Sequence, residues 1–116
     1  MVSLWAVVPA AALEDLAGAV AHNGDIRLLI EGHTDNVPIA TACIKDNWDL
    51  SVLRATSVVR ILARNPSIKP VQLTPAGRGE YMPVDPQDTP EARKKNRRIE
   101  VILVPDISKV MSLVSE

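Results

Sequence analysis

Asp35 and Arg54 are a carboxylate and a guanidinium placed as the two halves of a receptor for a small zwitterion. Asp35 belongs to Glu31-Gly32-His33-Thr34-Asp35-Asn36, which follows the apolar run Ile26–Ile30 by a few residues. A backbone held by a strand and a side chain facing the loop beyond it is where open α/β sheets put ligands. Thr34, Asp35 and Asn36 also bond readily to nearby backbone, so a plain turn is the competing reading. Arg54 lies in Asn47-Trp48-Asp49-Leu50-Ser51 and Arg54-Ala55, near the start of a predicted helix. It falls outside the solvent strip Asp49, Thr56, Arg60 and Arg64 and shares a half-apolar face with Asn47, Leu50, Ser51, Val58 and Ile61. A guanidinium among aliphatics needs a partner, and its planar fork matches a carboxylate held bidentate. The helix start adds a weak preference for anions. That carboxylate is either a ligand's or an internal one, in an Arg54–Asp35 or Arg54–Glu31 pair, and spacing alone does not choose.

Other chemistries find less support. Arg93-Lys94-Lys95-Asn96-Arg97-Arg98 is short, has no aromatic neighbours for base stacking, and sits in a chain of net charge −1, so nucleic acid is not an expected partner. Asn96 is expected to end a short helix while Arg97 or Arg98 reaches back to a carboxylate near the site; Arg93 and Lys94 read as a solvated face. His33, His22 and the lone Cys43 show no metal-ligand spacing, so no metal and no cofactor are expected. A Cys43–His33–Asp35 triad has no support in the spacing, and Gly77 and Gly79 do not lead from a strand into a phosphate-cradling helix. The chain reads as a binding domain, not an enzyme.

These residues need a scaffold, and the patterning supplies one. Val2 to Val8 is a short or degenerate strand. Pro9 opens a helix carrying Leu13, Leu16, Ala17 and Val20, which His22-Asn23-Gly24-Asp25 stops, with Gly24 as its cap. Ile26 to Ile30 is a strand with Ile26, Leu28 and Ile30 on one face. After a loop from Asn36 to Lys45, Asp46 or Asn47 caps a helix running to about Arg64. Its sheet-facing stripe is expected at Trp48, Val52, Ala55, Val59, Leu62 and Ala63. Val71 to Ala76 is a strand that Pro75 confines to a sheet edge. Gly77-Arg78-Gly79 is a turn, and Pro83 to Pro90 an irregular loop. Thr89-Pro90-Glu91 starts a short helix, Ile99 to Val104 is the last clear strand, and Ile107 to Val114 is a terminal helix or tail. The order predicts an α/β (α+β) two-layer sandwich, helices on a mixed sheet with βαβαβ connectivity, as one domain over 1–116.

Composition agrees. The 116 residues suffice for one core; phenylalanine is absent, so Val, Ile, Leu and Ala must fill it. No apolar run approaches the ~20 residues of a membrane span. Residues 1–12 lack the basic start of a signal peptide; if the protein works outside the cytoplasm, its targeting or anchoring segment is expected to be absent from this chain.

From 26 to 104 the chain resembles the OmpA-like peptidoglycan-binding domain family. The resemblance rests on Gly32-His33-Thr34-Asp35, Asn47-x-x-Leu50-Ser51-x-x-Arg54-Ala55, Gly77-x-Gly79-Glu80-x-x-Pro83-Val84 and Asn96-Arg97-Arg98-Ile99-Glu100. Asp35-Asn36-Val37-Pro38-Ile39 and the longer loop before Asn47 are closer to MotB-type members. The resemblance implies non-covalent binding of peptidoglycan through the diaminopimelate of its stem peptide. Asp35 then engages the ligand, Arg54 takes a carboxylate, and Thr34, Asn47, Leu50 and Arg98 line the groove. It also implies a periplasmic domain tethered to the inner or outer membrane, often dimeric in stator-type members. The alternative is an interaction module for assembling an envelope, motility or secretion complex without peptidoglycan binding. Three positions depart from the family pattern: the Val2–Val8 segment lacks its phenylalanine, Ala92 replaces a glycine, and Pro75 interrupts a strand.

Overall fold

The computed structural model describes residues 2–4 and 10–105. Four strands, β1 (Val2–Leu4), β2 (Ile26–His33), β3 (Leu73–Gly77) and β4 (Arg98–Pro105), form one sheet in the order β1-β4-β2-β3. β4 runs antiparallel to both β1 and β2, and β3 runs parallel to β2, so the sheet is mixed. Three helices join them: α1 (Ala10–Ala21), α2 (Asn47–Leu62) and α3 (Pro90–Asn96). The architecture is the expected α+β sandwich. Residues 5–8 of the first expected strand, Pro9 and the expected helix at 107–114 lie outside the described residues.

One apolar layer lies between sheet and helices. Leu28 and Ile30 of β2 stand beside Ile99 and Val101 of β4, facing Leu13, Ala17 and Val20 of α1 and Ala55, Val58 and Leu62 of α2. β2 is longer than the apolar run predicted, continuing through Glu31-Gly32-His33. The cross-strand register puts Glu31 opposite Glu100 and His33 opposite Arg98, so those polar groups find partners on the sheet face away from the helices. The turn after α1 is closed by Asn23 N–H donating to Val20 O at 2.9 Å. The glycine with positive φ is Gly79, not Gly24. β3 is an edge strand, as Pro75 required.

The buried face of α2 differs from the expected stripe. It consists of Asn47, Ser51, Ala55, Val58 and Leu62, while Trp48, Val52 and Ala63 are exposed. The reason is close backbone approach. A Cβ placed on Gly32 would fall on the Ser51 carbonyl oxygen, so only glycine there lets the first turns of α2 lie against β2. Small residues therefore occupy the contact, and the larger Trp48 and Val52 are turned to its flank.

Candidate functional site

Beyond the end of β2 the chain turns through Thr34–Val37, and that loop is fastened before its side chains can act. Thr34 N–H donates to Gly79 O at 2.9 Å, and Asn47 Nδ2 donates to the carbonyls of Asp35 and Val37, each at 3.2 Å. Thr34 Oγ1 donates to Asp35 O at 2.9 Å, and Asp35 Oδ1 accepts the Val37 N–H at 3.0 Å. Asp46 caps α2 by accepting the Asp49 N–H at 3.1 Å, which fixes Asn47 at the first helical position. The buried Asn47 is thus the joint between helix and loop.

Thr34, Asp35, Val37, Pro38, Ile39, Asn47, Leu50, Arg54 and Arg97 line an open groove of about 340 Å³. Five of the six residues expected at a site therefore meet in one place. Arg98 does not. Its guanidinium is buried on the other face of the sheet, donating to Met82 O at 2.9 Å and Asn96 O at 3.3 Å, with Nε 3.3 Å from Glu100 Oε1. Successive residues of an extended chain face opposite ways, so Arg97 occupies the groove instead. Arg97 Nη1 lies 2.7 Å from Asp35 Oδ2.

Arg54 is exposed, at the margin of the half-apolar face it was expected to share, and lines the groove with Leu50. It forms no hydrogen bond or ion pair with any described residue, so neither expected internal partner, Asp35 or Glu31, is taken. Asp35 is neutralised by Arg97 while Arg54 is uncompensated. The groove thus offers a cation for a ligand carboxylate, and Val37, Pro38, Ile39 and Leu50 form an apolar wall for a methylene chain.

Behind this loop lies a second charged cluster. His33 Nε2 is 2.7 Å from Glu31 Oε1 and 3.2 Å from Glu100 Oε2, and Arg78 Nε is 3.2 Å from Glu31 Oε2. Burial, reinforced by the Arg98 charge, holds the His33 imidazole below its usual range against the opposing pull of both glutamates. The three side chains offer ligand atoms within 4.8 Å of one another. Each carboxylate already faces a guanidinium, so the arrangement is an ion-pair network on its own account. Cys43 is exposed on its loop and His33 is buried, so the two do not form a nucleophile–base pair.

Residues 9–97 match the OmpA family. This chain belongs to the OmpA family. Motility protein B of Bacillus subtilis is 39% identical over 92 residues, covering 79% of this chain and 35% of that protein. The chain therefore spans about a third of the relative it matches. The crystal structure of the periplasmic domain of Helicobacter pylori MotB superposes with a TM-score of 0.74 at 27% identity, covering 90% of this chain and 69% of that one. The peptidoglycan-associated lipoprotein of Burkholderia pseudomallei shares the fold, with a TM-score of 0.75 at 21% identity over 90% of this chain and 91% of its own. Within the OmpA family this is a MotB-type domain and a non-enzymatic module. The expectation that Arg97 or Arg98 reaches a carboxylate near the site is met by Arg97, while the Val37–Ile39 wall is the groove part that the sequence did not place.

Proposed function

We infer that the groove binds the stem peptide of peptidoglycan through its diaminopimelate residue and so anchors an envelope protein to the cell wall. The observation that carries this reading is Arg54, a guanidinium with no hydrogen-bond or ion-pair partner among the described residues, lining the same groove as Asp35. Diaminopimelate bears an ammonium and a carboxylate on one carbon at the end of a short methylene chain. Its carboxylate suits Arg54, its methylenes suit Leu50 and the Val37–Ile39 wall, and its ammonium suits Asp35 in competition with Arg97. The relatives are a motility protein and, by fold, a lipoprotein named for its association with peptidoglycan, which supports a periplasmic, wall-attached role. Attachment to a membrane in the full-length protein, and dimerisation, belong to the same reading.

One observation favours the alternative of an assembly module without peptidoglycan binding: Asp35 already has a cationic partner within the chain. Co-sedimentation with purified sacculi decides between them. Asp35→Ala and Arg54→Ala are expected to leave the fold intact and to lose the pellet-associated fraction; undiminished sedimentation of both variants refutes the wall-binding reading.

A further inference from the structure

On the other flank of α2 the structure exposes two aromatic rings. Trp48 and Tyr81 stack with centroids 4.8 Å apart and planes at 29°, yet remain 49% and 60% exposed. Exposed aromatics on a mobile loop would be unremarkable, but this loop is fixed from three directions by buried polar side chains. Ser51 Oγ accepts the Gly79 N–H at 3.0 Å. Arg98 donates to Met82 O at 2.9 Å. Asn96 Oδ1 accepts the N–H groups of Val84 and Asp85 at 2.9 and 3.1 Å, while its Nδ2 donates to Asp85 O at 2.9 Å. Gly79 has φ +60°, and a Cβ there would stand 3.2 Å from the Tyr81 ring, so the residue supplies both the turn and the room for the ring. Buried polar groups are thus committed to presenting Tyr81 and Met82 to solvent beside Trp48 and Val52. Burial of that apolar surface cannot be the reason, since all four residues are exposed.

We propose that the Trp48–Tyr81 stack is a saccharide platform, a subsite that takes a pyranose ring of the glycan strand while the groove holds the attached stem peptide. This rests on the stem-peptide reading of the groove. Stacking covers the inner side of each ring and holds the pair rigid, and an outer ring face, negative at its centre, suits the polarised C–H face of an uncharged sugar. The patch is small: Trp48, Val52, Tyr81 and Met82, against roughly 20–30 residues a side in a stable protein interface. Its position fits too. Trp48 and Leu50 occupy opposite flanks of the first turn of α2, separated by about the 10 Å width of a helix. Between the muramyl ring and diaminopimelate lie a lactyl arm and two residues, the latter alone reaching roughly 7 Å when extended.

The test titrates the 116-residue chain, Trp48→Ala and Tyr81→Ala with two ligands: the bare stem tripeptide and the same tripeptide carrying its disaccharide. Circular dichroism confirms that each variant is folded. The wild type is expected to bind the disaccharide form roughly three- to ten-fold tighter than the bare peptide. Both variants are expected to lose that gain and to keep wild-type affinity for the bare peptide. No gain in the wild type overturns the platform, and so does an equal loss of both ligands in the variants. If the wild type binds neither ligand, the stem-peptide reading of the groove has failed on its own. Peptide-free glycan strands then decide the platform: retention by wild type but not Trp48→Ala sustains it, and no retention overturns it. Self-association in sedimentation velocity that Trp48→Ala abolishes, without a sugar effect, assigns the patch to a second copy and likewise overturns it.

Discussion

Arg97 and Asp35, 62 residues apart in sequence, meet at 2.7 Å across the groove, and Arg54 stands beside them with no partner among the described residues. The groove therefore holds one paired cation, Arg97, and one that is unpaired among the described residues, Arg54. A ligand ammonium must compete with Arg97, whereas a ligand carboxylate meets Arg54 without displacing anything.

Arg97→Gln is expected to release Asp35 and to tighten binding of free diaminopimelate a few-fold by isothermal titration. The pair is partly exposed, so its loss should cost less than about 1 kcal/mol of stability. If Arg97→Gln binds as poorly as Arg54→Ala, Arg97 holds the ligand directly and does not compete with it.

Arg54→Ala should cost about 1.5–3 kcal/mol of ligand affinity, roughly ten- to a hundred-fold, with no change in melting temperature. The side chain is exposed and forms no hydrogen bond or ion pair with any described residue. Arg54→Lys should recover little, because an ammonium cannot reproduce a two-pronged contact to a carboxylate. A lowered melting temperature in either variant would give Arg54 a structural role this geometry does not assign it.

Gly32→Ala should destabilise the protein by roughly 1–3 kcal/mol in urea unfolding, since the added methyl collides with the Ser51 carbonyl and forces α2 away from the sheet. The same shift carries Leu50 and Arg54 out of line with Asp35, so affinity should fall with it. Gly24→Ala is the control, having open space around the added methyl, and should be neutral or slightly stabilising. Equal stability of the two variants would mean that the α2–β2 contact yields easily.

His33 makes stability depend on pH. The folded chain holds the imidazole below its ordinary range, chiefly by burial, so at mildly acidic pH the unfolded chain binds more protons than the folded one. This contribution is complete above the ordinary histidine value near 6.5 and is lost as pH falls below it, down to the lowered folded value. Urea midpoints measured from pH 8 to 5 should fall more steeply for wild type than for His33→Gln, which cannot titrate. Parallel curves would show that His33 does not govern this range.

Much of the scaffold was legible because its signals are local. Asp46 and Thr89 announced helix starts through side chains that accept nearby N–H groups, and Pro75 marked an edge through the donor it lacks. Asp35 and Arg54 were legible from residue type and spacing, and the family resemblance added Asn47 and Leu50; one strand end and the first two turns of α2 carry all four. The buried face of α2 was not, because a hydrophobic pattern favours large side chains, and a contact made by Ser51 against glycine inverts that preference. Nor could sequence separate Arg97 from Arg98. Their roles depend on where β4 begins, and a shift of one residue exchanges the two faces.

Pro75 sits mid-way along β3, which pairs with β2 on one side and with no described strand on the other. Having no N–H, it breaks the row of donors that an incoming strand from another molecule would need. Fibril-like stacking of copies along this border is thereby discouraged, even where copies of the chain are crowded together.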